Sequence, residues 1–204
     1  MAGKRETKKE ELRERVLKAA SEIIEAHGVS GLRARDIAER VGCALGGLYT
    51  VFADLDELIL HVHSGTLKRI EEQLRGSVPE AATPRETFRH LALAYLAFAQ
   101  DNRNLWKALF EHRLPEGAAP PDWHLAQQAF LIQLIAAPLS IAMPGANPDA
   151  LAIRARTLFG AVHGVVSISL EDRFTGITPG HLEDEVAALA DILAEGIAAT
   201  RDAV

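Results

Sequence analysis

The 204-residue chain contains one cysteine, Cys43, so no disulfide can form within it. No second Cys and no His stands near it at metal-ligand spacing, which predicts a reducing, cytoplasmic setting. An apolar leader is also lacking. The opening "MAGKRETKKEELRER" is charged, and the best apolar run, "AFLIQLIAAPLSIAM", is short and interrupted by Pro138. Neither a signal peptide nor a membrane span is expected. Absent too are a Walker loop, a dinucleotide fingerprint and a nucleophile motif. His61 and His63 are two residues apart and so point to different sides of a helix, and the remaining histidines are scattered. Catalysis, a resident metal and a cofactor are therefore not expected. No strand alternation, internal repeat or low-complexity tract appears.

What is present is helix. Thr7 with Glu10, Thr83 with Glu86 and Asp54 with Glu57 read as capping boxes, and Asn147-Pro148 and Thr178-Pro179 as caps followed by a first-turn proline. Gly28, Gly42 and Gly76 fall where helices should end. These signals predict an all-α fold of about nine helices, near 8–27, 34–41, 44–51, 54–75, 84–100, 102–113, 123–142, 148–171 and 179–200. "LPEGAAPPD" is the one loop rich in Pro and Gly. The length is enough to bury well over half of the unfolded surface.

Charge divides the chain. The net charge is −6, yet residues 1–52 carry ten Lys/Arg against eight Asp/Glu, leaving twelve against twenty in the remainder. A mildly basic head thus precedes an acidic body. Its excess is concentrated in Lys4, Arg5, Lys8 and Lys9, which face only Glu6. Such a tail is either a solvated end or a source of phosphate contacts.

Within the head, Leu12, Val16, Ala19, Ala20, Ile23 and Ile24 give the first helix an apolar face. Leu32, Ile37, Ala38, Val41, Leu48 and Phe52 supply its partner surface, making a three-helix unit. Two short helices can cross steeply when the residue at the crossing is small and the turn accepts a left-handed backbone, and Ala38 and Gly42 meet those needs. "GLRARDIAERVGCALGGLYTVFADLDELI", residues 31–59, resembles the DNA-binding domain of TetR-family transcriptional regulators through Leu48-Tyr49, Phe52 and Asp54 to Leu58. The resemblance implies a helix-turn-helix head, residues 1–56, and an all-helical ligand-binding and dimerisation body, residues 57–204. "LFGAVHGVVSISLE" is similar to the Trp-x-x-x-His-Gly signature of one C-terminal subtype, with Phe159 in the Trp position before His163-Gly164. Gly160 and Gly164 lie one helical turn apart and would also leave a groove for a close-packed helix.

The recognition segment has few hydrogen-bonding side chains. Ala44, Leu45, Gly46 and Gly47 stand where the family often carries polar residues, leaving Tyr49 and Thr50. Each helical glycine costs about 1 kcal/mol relative to Ala. The compensating gain is expected to be close backbone approach, with Ala44 and Leu45 touching thymine methyl groups. Arg33 and Arg35, with Lys8 and Lys9, are then expected to hold phosphates. The alternative is a protein-interaction module with weakened or lost operator binding.

The body is expected to take a small apolar or aromatic effector among Tyr95, Phe98, Trp106, Phe110 and Phe130, with His124, Gln128 and His163 as polar contacts. Phe88, Trp123 and His112 belong to the same apolar and polar set. Leu158, Val162 and Val165, with Leu182, Val186, Leu189 and Leu193, form two stripes at helical spacing. They either face their own core or form a four-helix homodimer interface, the family's mode of pairing. Operator DNA, the effector and a second copy are thus the expected partners, and repression, the family's commonest mode, is the expected sign.

Overall fold

The computed structural model describes residues 2–171 and 176–201, with side chains for residues 6–171 and 176–199. The side chains of Lys4 and Arg5 lie outside the described residues. Nine α-helices and no strand are present among the described residues: α1 Ala2–His27, α2 Ala34–Val41, α3 Leu45–Leu48, α4 Leu55–Ser77, α5 Pro84–Asp101, α6 Arg103–Glu111, α7 Asp122–Ala142, α8 Pro148–Leu170 and α9 Pro179–Arg201. A 3-10 turn, Val29–Gly31, joins α1 to α2.

Side-chain caps explain three of these starts. Glu57 N donates to Asp54 Oδ1 at 2.7 Å ahead of α4, and Thr83 N and Glu86 Oε2 close a reciprocal box at 2.8 Å ahead of α5. Asn147 Oδ1 accepts from Asp149 N at 2.8 Å, opening α8. Three expectations shift. Thr7 and Glu10 lie inside α1, because Lys4, Arg5 and Glu6 are good helix formers and no proline stops the helix from extending back. Gly76 sits within α4, which continues to Ser77. Pro138 does not interrupt α7, which runs on to Ala142. By length and composition alone, α7 and α8 are therefore long and apolar enough to cross a membrane.

The chain forms two compact units, residues 1–67 with 102–124 and residues 68–101 with 125–204. In the first, Val16, Ile24, Ile37, Leu48 and Phe52 pack with Leu58, Ile59 and Val62 of α4 and with Leu105 and Ala108 of α6. The helix-turn-helix thus shares its core with elements beyond residue 56, the expected division point. In the second unit, Phe88, Leu139, Ala155, Leu158, Ala194 and Ile197 form a core from α5, α7, α8 and α9.

Candidate functional site

The tight turn after α2 is made by Gly42, whose φ of 68° and ψ of 42° are left-handed and whose N–H caps the carbonyls of Ala38 and Glu39. Cys43 N then donates to Ala38 O at 2.9 Å, and Leu48 seals the corner with no exposed surface. The helix that follows is only Leu45–Leu48, one turn rather than the eight residues the pattern predicts. Its start at Ala44 has no side-chain cap, and Gly46-Gly47 adds about 2 kcal/mol of unfavourable propensity relative to two alanines. Packing within the chain does not require either glycine. A Cβ added at Gly46 meets nothing within 4 Å, and at Gly47 only ordinary contact with Cys43 at 3.6 Å.

Around this bare turn, Leu45 is 40% and Tyr49 46% exposed. Thr50 Oγ1 donates to Gly47 O at 2.7 Å, so its hydroxyl proton is already used and the group can only accept from a partner. Arg33 is exposed at the N-terminal end of α2 and donates to Ser30 O at 3.2 Å, and Arg35, Lys8 and Lys9 are exposed as well. Lys8 and Lys9 lie on α1 itself rather than on an extended tail.

Two arginines of α1 fix the motif's orientation. Arg15 donates to Val41 O at the end of α2. Arg13 donates to Val51 O at 2.8 Å, pairs with His61 Nε2 at 2.7 Å and lies 4.3 Å over the Phe52 ring. Burial first, and then the Arg13 charge, hold the His61 imidazole below its ordinary pKa. Neither arginine was singled out in sequence; on a charged helix face they look like any solvated pair.

In the second unit a cavity of about 70 Å³ is lined by Ile70, Leu74, Phe88, Leu91, Ala92 and Tyr95, by Leu131, Leu134 and Ile135 of α7, by Leu158, Phe159 and Val162 of α8, and by Ala190, Leu193 and Ile197 of α9. A single water needs about 10–15 Å³ by this measure, so there is room for several water-sized groups, a short chain or one ring. No lining side chain is charged, and Tyr95 is the only one with a polar atom. Its hydroxyl meets His163 Nδ1 at 2.8 Å, and Phe159 stacks on that imidazole at 5.5 Å. Burial lowers the His163 pKa, so the ring is neutral near pH 7.

Comparison with known sequences decides what this pairing of motif and cavity belongs to. Residues 88–194 match the family described as tetracyclin repressor-like, C-terminal domain, and residues 16–62 match the bacterial regulatory proteins of the tetR family. The chain belongs to the TetR family. It is accordingly a transcriptional regulator with a helix-turn-helix DNA-binding head and a ligand-binding helical body, and not an enzyme. No curated relative matches significantly.

Solved TetR-like folds align over nearly the whole chain. A protein of unknown function from Rhodococcus sp. RHA1 is 23% identical, with a TM-score of 0.73 over 92% of this chain and 95% of that one. A TetR variant from Acinetobacter baumannii AYE in complex with minocycline is 19% identical, with a TM-score of 0.64 over 91% and 96%. The TetR-family regulator PfmR from Thermus thermophilus is 16% identical, with a TM-score of 0.60 over 89% and 97%. At these identities the likeness is one of fold.

The residues expected to bind effector in this TetR-family chain are not all brought together. Tyr95 lines the cavity, and His163 reaches it through the Tyr95 hydroxyl. Phe98 is buried near the Arg69 guanidinium, Phe130 lies under that of Arg75, and Gln128 is exposed. Trp106 and His124 are buried in the other unit, where Phe110 is 44% exposed. Of the aromatics singled out in the sequence, Phe88 and Tyr95 line the cavity, whose walls are otherwise mainly Leu and Ile.

The expected pairing stripes face inward. Leu158, Val162 and Leu193 line the cavity, Leu182 and Val186 are 1% and 0% exposed within their own chain, and Val165 and Leu189 are half-buried. Both helices are apolar on two sides, and the Leu/Val stripe is the inner one. The outer stripe consists of Ile153, Thr157, Gly160, Gly164 and Ile168 on α8, with Ala188, Ile192 and Ala199 on α9. Ile153 and Ile192 are each 64% and Ile168 50% exposed, and a Cβ at Gly160 or Gly164 would meet open space.

Proposed function

We propose that this TetR-family regulator is a cytoplasmic repressor that binds operator DNA as a homodimer and is released by a small, neutral, apolar or aromatic effector. The observation that carries the reading is the cavity: fifteen lining residues, none charged, with one hydroxyl anchored by a neutral imidazole. A charged effector would lose its hydration there without gaining a counter-ion. An apolar one gains roughly 25 cal/mol for each Å² removed from water. The minocycline-bound TetR variant supports a small molecule as effector by analogy.

On the DNA side, two glycines that the fold does not need favour a surface shaped for close backbone approach. Leu45 and Ala44 then meet thymine methyl groups, Tyr49 and Thr50 reach a phosphate or base edge, and Arg33, Arg35, Lys8 and Lys9 hold the backbone. Pairing uses the outer stripe of α8 and α9, whose glycines permit close helix approach. A dimer presents two heads to major grooves one turn, about 34 Å, apart. An effector that prefers another spacing lowers operator affinity by its differential affinity for the two states.

The test is a fluorescence-anisotropy titration of the chain with DNA from upstream of its own gene, repeated with neutral and anionic ligands of matched size that have first been screened by thermal shift. Specific binding that a neutral ligand weakens supports the reading. Absence of specific binding to any upstream fragment would assign the bare face to a protein partner instead, and release by the anionic ligand alone would overturn the effector class.

A further inference from the structure

The wall of the cavity in the second unit discriminates beyond its lack of charge. Twelve of its fifteen lining residues are aliphatic, drawn from α4, α5, α7, α8 and α9. Two of the three aromatic ones already engage other rings. Phe159 lies face to face with the His163 imidazole, centroids 5.5 Å apart and planes 15° from parallel, and Tyr95 meets Phe159 edge-on at 5.5 Å. The third, Phe88, is 8% exposed and packs into the core of the same unit. A flat ligand ring would therefore meet mostly methyl and methylene groups, without the ring partners that favour aromatic ligands.

Polarity is confined to one place. Tyr95 is 5% exposed, and its hydroxyl meets His163 Nδ1 at 2.8 Å. A neutral imidazole can take either role in this bond. Where Nδ1 accepts, the phenol oxygen can accept in turn from a ligand hydroxyl; where Nδ1–H donates, the phenol proton can serve a ligand carbonyl. Both arrangements suit one uncharged oxygen, and neither supplies the cation that a buried carboxylate needs. Space sets the length. At about 10–15 Å³ for each water-sized group, a cavity of about 70 Å³ takes about five to seven of them.

We propose that the cavity selects a neutral aliphatic molecule, a chain of about five to seven carbons bearing a single hydroxyl or carbonyl oxygen, with that oxygen at Tyr95 and the chain against the Leu and Ile side chains. The inference rests on the reading of this cavity as the effector site, and it narrows the ligand from apolar or aromatic to aliphatic.

The experiment is calorimetric titration of the full chain, without DNA, with 1-butanol, 1-pentanol, 1-hexanol, 1-heptanol, benzyl alcohol, hexane and heptanoate. Affinity should rise about fourfold with each methylene from 1-butanol to 1-heptanol. Benzyl alcohol, with the same number of carbons as 1-heptanol, should bind more weakly by a wider margin than its lower partition into oil accounts for. Tyr95→Phe should lose about three- to tenfold in affinity for 1-heptanol and bind hexane as the parent does. Leu134→Trp should abolish binding of both. Circular dichroism identifies folded variants; if Tyr95→Phe does not fold, the length series and the benzyl alcohol comparison decide.

A folded parent that binds none of the alkanols, or binds them without gain along the series, overturns the proposal, as does benzyl alcohol binding within the margin set by partition. Each of these leaves a neutral effector of another shape standing, whereas heptanoate bound in preference to 1-heptanol overturns both readings. Equal affinity of the parent and folded Tyr95→Phe for 1-heptanol overturns the placement of the oxygen. Alkanol binding that obeys the series but leaves operator affinity unchanged upholds the ligand class and refutes the cavity's role as effector site.

Discussion

Replacing Ile192 by Asp tests the proposed pairing face apart from everything behind it. Ile192 is 64% exposed on the outer side of α9, so the substitution opens no internal cavity and should leave the protomer folded. Burying a whole isoleucine side chain is worth about 1.5–3 kcal/mol, and the exposed share of Ile192 therefore about 1–2 kcal/mol. A two-fold interface repeats the loss in both copies, giving about 2–4 kcal/mol, which is roughly a 30- to 1,000-fold weaker dimer. Like charges facing each other near the axis add to that figure. Sedimentation velocity across a concentration series reads the dimer constant directly, and operator affinity should fall with it because one head alone contacts half a site. Unchanged dimerisation in Ile192→Asp would refute the assignment of this face. Val186→Ala supplies the contrast: at 0% exposure it should lower thermal stability with little effect on association measured well below the melting transition.

At the DNA face, Arg33→Ala or Arg35→Ala should weaken all sequences about equally and reduce the salt slope of binding by about one each, whereas Leu45→Ala should relax preference at thymine positions; the reverse pattern in a binding titration would exchange these roles. In the cavity, Leu134→Trp should block ligand-induced thermal stabilisation while leaving operator affinity within a few-fold of the parent. For pH, the folded-state pKa of His63 is depressed to about 4 from an unfolded value of 6.5. Its contribution to stability is therefore complete above about pH 6.5 and is lost as pH falls toward 4, amounting to about 3 kcal/mol. Urea denaturation at pH 7 and pH 4.5 should show this slope in the parent and a shallower one in His63→Gln.

Much of the architecture was legible in the residues. The capping pairs at Asp54, Thr83 and Asn147 placed three helix starts to within a residue, because a cap is a local hydrogen bond between side chain and nearby backbone. Gly42 and Leu48 placed the helix-turn-helix for similarly short-range reasons. The recognition helix was less transparent. Its four residues reflect a competition between an uncapped start at Ala44 with weak propensity at Gly46 and Gly47 and the tertiary burial of Leu48 and Phe52, and a pattern does not weigh those terms. The cavity was hidden because Phe98, Trp106 and Leu134 are all simply apolar in sequence, and only packing sorts them into core and lining.

The sequence by itself determined the helical fold and the family, since each rests on local spacing and residue type. Which side of α8 and α9 turns outward was decided only by tertiary structure. Helices apolar on two faces carry no periodic signal that separates cavity, core and interface. The gathering of His63, His112 and His124 depended on the fold in the same way: residues far apart along the chain become neighbours only when α4, α6 and the start of α7 pack together.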